Sequence, residues 1–275
     1  MGRALLKPTK TEIARTLGVS RQSLYYVPKR EAIDLEVKSQ IESVLVQHPG
    51  YGHKRIALHL RMNKKRILRV MHKYAIHPYR RKAKKREKKK DKGQAPMSIP
   101  NLIAKECPIR PNVIWVSDFT YIMFQQKFIY LATQEDLFTR EIVGKSVSRF
   151  HTRFLVIESL QDALQTHTPP RIAHDDQGSE YRSEEYQGLL AKYGILPSMS
   201  DKGSPWQNGY QESFYSRFKE DFGDPNRFET LPEFIEAIYL HIYYYNHERI
   251  HSALKMFPVK FRDLYLERLS IFRGT

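Results

Sequence analysis

The chain has 275 residues, with 46 Lys plus Arg against 30 Asp plus Glu, a formal net charge of +16, 41% hydrophobic residues and 12% aromatic residues. That is too apolar for a disordered chain, and long enough for one large or two small domains that bury a core without staples. A single cysteine, Cys107, excludes an internal disulfide and fits a reducing compartment, while the absence of a signal-peptide pattern and of a run near the roughly 20 apolar residues that span a bilayer argues against export and against a membrane protein.

The charge is lopsided. Residues 1–95 carry 26 Lys/Arg and 7 Asp/Glu, a net of +19; residues 96–275 carry 20 and 23, a net of −3. A polycation of this kind points to phosphate backbones, because each neutralised phosphate releases a counterion. Within it, residues 9–30 predict a short helix capped by Thr11, with Ile13, Ala14 and Leu17 apolar, then a turn at Gly18 and a second helix capped by Ser20. This is a helix-turn-helix pattern, and it sets Arg21, Gln22 and Ser23 where base edges and phosphates are read. Residues 32–47 predict an amphipathic helix with Ile33, Val37, Ile41, Val44 and Leu45 on one side, broken by Pro49-Gly50-Tyr51-Gly52. Residues 53–76 predict two more helices. Ile56, Leu58 and Leu60 serve the first, and Ile67, Leu68, Val70 and Met71 the second. Lys54 and Arg55 on the first, and Lys64, Lys65, Arg66 and Arg69 on the second, are candidate DNA contacts.

Residues 79–92 hold ten Lys/Arg in fourteen and no apolar face. They read as a linker or flexible arm, with Arg80, Arg81 and Lys82 as charge-driven DNA contacts, or as a nuclear-import signal, which composition does not separate. Pro96, Pro100, Pro108 and Pro111 continue the linker. The expected division is a helix-turn-helix region at 1–78 with helical units at 9–30 and 53–76, a basic linker at 79–111, and a second domain at 112–275. In that domain strands are expected at 113–122, 128–133, 141–148, 171–175 and 195–199. Helices are expected at 153–166, 184–193, 208–221 and 231–246. Three successive strands followed by strand–helix alternation describe a mixed α/β sheet with helices on its faces.

Three carboxylates stand out. Asp118 lies in an otherwise apolar first strand, Asp176 at the end of the fourth, and Glu212 on a helix after a Gly/Pro-rich loop. A carboxylate in a buried strand is costly unless paired, hydrogen-bonded or metal-bound. An oxygen-only cluster favours magnesium or manganese, and a pair of such ions suits chemistry at phosphorus. Strand alternation puts Asp176 on one side with Ile172 and His174; Asp175 points the other way, to bond locally or to modulate the metal's charge. Asn208, Glu212 and Lys219 fall on nearly one helix face, with Phe214, Phe218 and Phe222 as a separate apolar stripe. That places Asn208 and Lys219 as DNA contacts beside Glu212. Asp136 and Arg140 read as an ion pair. Arg249 and His251 either touch DNA or lock the last helix.

These residues carry a resemblance. Trp115 to Ile122, Asp136 to Arg140 with Ile142-Val143-Gly144, His174 to Tyr181, Ser198-Met199-Ser200, Asn208 to Phe214, and Tyr244 to His251 with Leu254 and Pro258 are similar to the retroviral-integrase type of DDE core. With Leu17 to Arg21, Tyr25-Tyr26 and Tyr51 to Ile56 added, the whole chain resembles the second-frame transposases of the bacterial insertion-sequence-three family. Asp176 and Glu212 have 35 residues between them, the separation typical of that family. The loop Ser204 to Gly209 is closer to the retroviral version. The resemblance implies an RNase H-like core in which Asp118, Asp176 and Glu212 bind two Mg2+ ions, with Mn2+ as a substitute. It also implies cleavage at element ends, strand transfer by the 3′-hydroxyl, and double-stranded DNA as partner through terminal inverted repeats and target. A homo-oligomer on DNA, a partner from an upstream reading frame and a place on the bacterial nucleoid in the cytoplasm follow as expectations. A domesticated DNA-binding protein without strand transfer and an RNase H-like nuclease are the competing readings.

Overall fold

The computed structural model describes residues 9–25, 29–79, 99–200 and 209–273. The chain begins with α1 (Lys10–Thr16), which Thr9 and Glu12 cap reciprocally: Thr9 Oγ1 accepts from the Glu12 amide and the Thr9 amide donates to Glu12 Oε2 at 2.7 Å. The cap therefore stands two residues before the expected Thr11, where a glutamate three positions on completes a capping box. Ser20 does cap the next segment, accepting from the Ser23 amide at 3.2 Å. That segment, Arg21–Tyr25, is a 3-10 turn and not the expected second α-helix. Leu17, Val19 and Tyr25 stay exposed, so no buried stripe holds a full helix there.

Helices α2 (Lys29–Gln47), α3 (His53–His59) and α4 (Lys64–Lys73) form a separate small core. Val37, Ile41, Val44, Tyr51, Ile56, Ile67, Val70 and Met71 fill it; Ile33 and Leu58, expected inside, are exposed. Asp34 is buried at its edge and takes the Arg69 guanidinium in a two-pronged grip of 2.5 and 2.7 Å, with Lys73 Nζ at 3.2 Å.

The second half is a five-stranded sheet in the order β3-β2-β1-β4-β5. Its strands are β1 (Ile114–Phe124), β2 (Lys127–Asp136), β3 (Ile142–Ser148), β4 (Ile172–Asp175) and β5 (Leu196–Met199). The first three pair antiparallel, while β4 joins β1 and β5 in parallel. Both faces are covered. Trp115, Ala132, Val143 and Ala173 pack against α5 (Arg153–Thr166) and α6 (Glu184–Lys192). Ile122, Phe124, Ile129 and Leu131 pack against α7 (Gly209–Phe222) and α8 (Leu231–His247). The period-2 alternation along β1 sends odd positions to the first layer and even positions to the second.

A last helix, α9 (Pro258–Arg273), has no counterpart in the sequence reading. Arg262 ties it to the buried Glu141 at 2.5 and 2.8 Å, and Phe261 and Tyr265 flank Phe138. Its one local signal is Pro258, a residue favoured at the first helical position. Among the described residues no helix is long and apolar enough to cross a membrane.

Candidate active site

Two of the three carboxylates lie just past the paired stretch of β1 and β4. Strands β1 and β4 pair as Ile114 with Ile172, Trp115 with Ala173, and Val116 with His174. The pairing ends there; Asp118 lies two residues past it on β1, and Asp176 two residues past it, just beyond the end of β4. Both fall in the even row of their strands, after Ile114, Val116 and Ile172, which cluster with Val113 and Leu137 under Leu102 and Ile103. Each aspartate is half-buried and accepts a nearby amide: Phe119 N to Asp118 Oδ1 and Gly178 N to Asp176 Oδ1, both at 2.8 Å. Burial raises the Asp176 pKa, and the neighbouring Glu180 carboxylate raises it further. The turn is tight, since a Cβ at Gly178 would stand 2.8 Å from Asp176 Oδ1 and 3.0 Å from Glu180 Oε2.

Asp175 faces the other layer. It is fully buried, Tyr186 OH donates to its Oδ1 at 3.1 Å, and its Oδ2 has no hydrogen-bond partner among the described residues. Burial, and then the charges of Asp176 and Asp118, push its pKa well above the usual carboxylate range. Beneath it Gln134 Nε2 donates to Ser117 and Ser159, and Ser117 Oγ donates to Tyr181.

Glu212 rides on α7, which is fastened to β1 at three points. Gln211 Nε2 donates to the Val116 carbonyl at 2.7 Å, Tyr215 OH to the Asp118 carbonyl at 2.6 Å, and Lys219 Nζ to Thr120 Oγ1 at 2.6 Å. Phe214, Phe218 and Phe222 bury the adjacent stripe, as their spacing predicts. Glu212 itself is exposed next to the fastened row. Among the described residues no three carboxylate, imidazole or thiol groups stand together as a metal-binding set. Asp118 and Asp176 thus follow paired positions of β1 and β4, and Glu212 rides on the helix fastened to β1, without the three closing into one cluster among the described residues.

The candidate DNA contacts divide. Arg21, Gln22, Ser23, Lys54, Lys64 and Lys65 are exposed, and Arg66 is half-buried. Arg69 is held by Asp34. Arg55 lies half-buried over the Tyr51 ring at 5.7 Å, with the charges of Arg249 and Asp221 nearby. Arg249 is 2% exposed and paired with Asp221, so it locks the fold and does not offer its guanidinium to a phosphate. Lys219 is engaged by Thr120 and lies over the Tyr121 ring at 5.2 Å. Arg80, Arg81, Lys82 and Asn208 lie outside the described residues. The expected Asp136–Arg140 ion pair is absent. Asp136 spends its oxygens on Asn112, Phe138 and Thr139, and Arg140 turns to Glu135 at 3.8 Å and to the Tyr210 ring at 4.1 Å. Sequence reading missed Gln211 and Tyr215; the signal was their i,i+4 spacing with Lys219.

The mixed five-stranded sheet thus carries Asp118 on its central strand, Asp176 just past the parallel neighbour and Glu212 on α7. The integrase core domain family matches residues 108–205 and again residues 193–258. The transposase for insertion sequence element IS904 of Lactococcus lactis is 36% identical over 238 residues, covering 82% of this chain and 93% of that protein. The putative transposase InsK of element IS150 of Escherichia coli is 29% identical over 276 residues, covering 94% and 95%. The solved HTLV-2 integrase catalytic core domain overlays 53% of this chain and 94% of its own, with a TM-score of 0.44 and 22% identity. The chain belongs to the bacterial insertion-sequence transposases with an integrase core, the type that includes the transposases of insertion sequence IS3.

Proposed function

We propose that Asp118, Asp176 and Glu212 are the catalytic carboxylates with which this transposase cuts the ends of its element and joins the freed 3′-hydroxyl to target DNA. The observation that carries the reading is that Asp118 and Asp176 each lie two residues beyond the paired Val116 and His174, with α7 fastened to the strand of Asp118. The donors are carboxylate oxygens only, which fit a hard divalent cation. The raised pKa of Asp176 is a strain that such a cation would relieve. The three residues would hold two magnesium or manganese ions. The chemistry supplied there is activation of the attacking oxygen and stabilisation of the leaving one.

In cleavage a water oxygen bonds to phosphorus and the 3′-oxygen leaves, taking up a proton as a hydroxyl. In joining that hydroxyl bonds to a target phosphorus, loses its proton, and the target's own 3′-oxygen departs with one. One phosphorus–oxygen bond forms and one breaks in each step, so no covalent protein intermediate is needed. What this chain supplies is position. Tyr215 and Gln211 fix the strand that bears Asp118, and the Gly178 amide orients Asp176.

The same reading gives the N-terminal half to recognition of the element ends. Arg21, Gln22, Ser23, Lys54, Lys64 and Lys65 meet duplex DNA, and the basic run from Arg80 adds affinity by charge. Two ends must be held together, so a homo-oligomer forms on DNA, with the product of an upstream reading frame as a further partner. The workplace is the bacterial cytoplasm, on the nucleoid.

Strand joining on a branched oligonucleotide that mimics an integrated end tests the assignment, run with magnesium or manganese. The expected result is metal-dependent joining, lost in Asp176→Asn and Glu212→Gln and kept in Asp175→Asn. Joining by Asp176→Asn would remove Asp176 from the site. Cleavage without joining would favour an RNase H-like nuclease.

A further inference from the structure

The β1–β2 hairpin runs past the cover of α5 and leaves an aromatic face exposed. Tyr121 stands directly across from Tyr130, and Met123 across from Phe128, so all four project from one side. Tyr121 is 57% exposed, Phe128 46% and Met123 45%. The Tyr121 and Phe128 rings touch edge to face at 5.0 Å, and Tyr130 continues the row to His151, stacked at 5.2 Å. Contiguous exposed apolar surface of this kind marks an interaction site.

Three observations connect the face to the carboxylates and to DNA. First, β4 pairs with β1 only as far as Val116, so the β1 edge beyond Asp118 lacks a neighbouring strand on that side. Around this edge Lys219, from the α7 layer, reaches within 5.2 Å of the Tyr121 ring. Second, His151 Nε2 meets Glu180 at 3.0 Å, and Glu180 shares the Gly178 turn with Asp176. Third, residues 119–134 and 142–157 contain no carboxylate, while Lys127, Lys145, Arg149 and Arg153 lie in them. Lys127 and Arg149 are exposed and make no ion pair among the described residues. A second copy laid face to face would set these cations against each other. A nucleic-acid strand would meet them with phosphates and offer its bases to the rings.

We propose that the Tyr121–Phe128 face is a stacking platform for unpaired bases of the DNA strand that leaves the catalytic carboxylates around the open edge of β1. The proposal rests on the active-site reading above and adds a base-contacting surface to it. Aromatic platforms hold bases with little sequence preference, because every base has a π-face.

The test compares affinity of the full chain for oligothymidine and for an abasic oligomer of equal length and charge, by fluorescence anisotropy without divalent metal. The basic arm binds both probes alike, so their ratio isolates base contacts. Wild type should prefer oligothymidine about tenfold. The double variant Tyr121→Ser, Phe128→Ser should bind both equally, and Tyr121→Trp with Phe128 intact should keep the preference. Both side chains are exposed, and an unchanged melting temperature will show that the double variant folds. A wild type without preference, or a double variant that keeps it, overturns the proposal. So does a double variant that turns a dimer into a monomer while the preference stays, because the face is then a contact between copies. The strand-joining assay separates this outcome from failure of the active-site reading, since base preference needs no chemistry.

Discussion

The hydroxyl of Tyr215 donates to the main-chain carbonyl of Asp118 at 2.6 Å and lies 2.8 Å from Thr133 Oγ1. It is the middle rung of a ladder from Gln211, Tyr215 and Lys219 to Val116, Asp118 and Thr120. Four helical residues advance about 6 Å, and two strand residues advance about 6.7 Å. The two repeats nearly match, so α7 lies along β1 without slipping. Tyr215→Phe takes the donor from a half-buried carbonyl, which costs about 1 kcal/mol. The variant should melt several degrees lower. Assayed well below its melting temperature, it should also join strands at least tenfold more slowly than wild type, with unchanged DNA affinity. Full joining activity would show that the ladder is not what positions Asp118.

Glu135 gives a pH signature. Burial pushes its pKa up to about 8, against the pull of Arg140. A carboxyl with a raised folded-state pKa adds stability below its unfolded pKa, and that stability is lost as pH rises through the folded value. The contribution of Glu135 to stability should therefore fall between roughly pH 4.5 and 8. Glu135→Gln should flatten that decline and melt higher than wild type at pH 9. Parallel melting curves across this range would refute the buried-carboxyl account.

The acid side belongs to three histidines. Burial lowers His48, His241 and His251 to about 4 each, with the Arg249 charge adding to the effect. A base with a depressed folded-state pKa adds stability above its unfolded pKa, lost as pH falls through the folded value. The contribution of these histidines to the melting temperature should be lost between pH 6.5 and 4, and His48→Gln should shrink that loss. An acid limb of the same slope in the variant would exclude His48 as a contributor.

The cations of α4 should separate by effect. Lys64 and Lys65 are exposed at its first turn, whereas Arg69 is gripped by Asp34. Lys64→Ala with Lys65→Ala should weaken DNA binding and lower the salt slope by about one per lysine, at constant melting temperature. Arg69→Ala should lower the melting temperature instead. The reverse pattern in a salt titration and a thermal melt would overturn the division.

What the sequence made legible follows from locality. Period-2 alternation and turn residues located all five strands, and alternation alone set Asp175 and Asp176 on opposite sides of β4. The carboxylates stood out because a lone Asp in Trp115-Val116-Ser117-Asp118-Phe119 breaks an apolar pattern. The failures are long-range. Arg69 finds its partner 35 residues away and Arg249 finds its own 28 away, so nothing nearby distinguished a gripped arginine from a solvated one. Helix α9 is held by Glu141, more than a hundred residues upstream, and its apolar positions make sense only against Phe138. The 3-10 turn at Arg21–Tyr25 had a helix's caps but no surface to bury.

The halves are stitched together despite the basic run between them. His48 Nδ1 lies 2.7 Å from the Tyr244 hydroxyl, the Ile250 amide donates to Tyr51 OH at 2.6 Å, and Ile250 packs into the core of α2, α3 and α4. A gene cut at residue 95 would not yield two independent modules. The downstream product would surface Tyr244 and Ile250, and the upstream product would lose a wall of its interior. Any loss of end binding on such a truncation would mix a missing reader with a damaged catalyst. Point changes on the exposed lysines are the cleaner instrument, and grafting a foreign reader onto this transposase calls for keeping residues 29–79 in place and replacing only what precedes them.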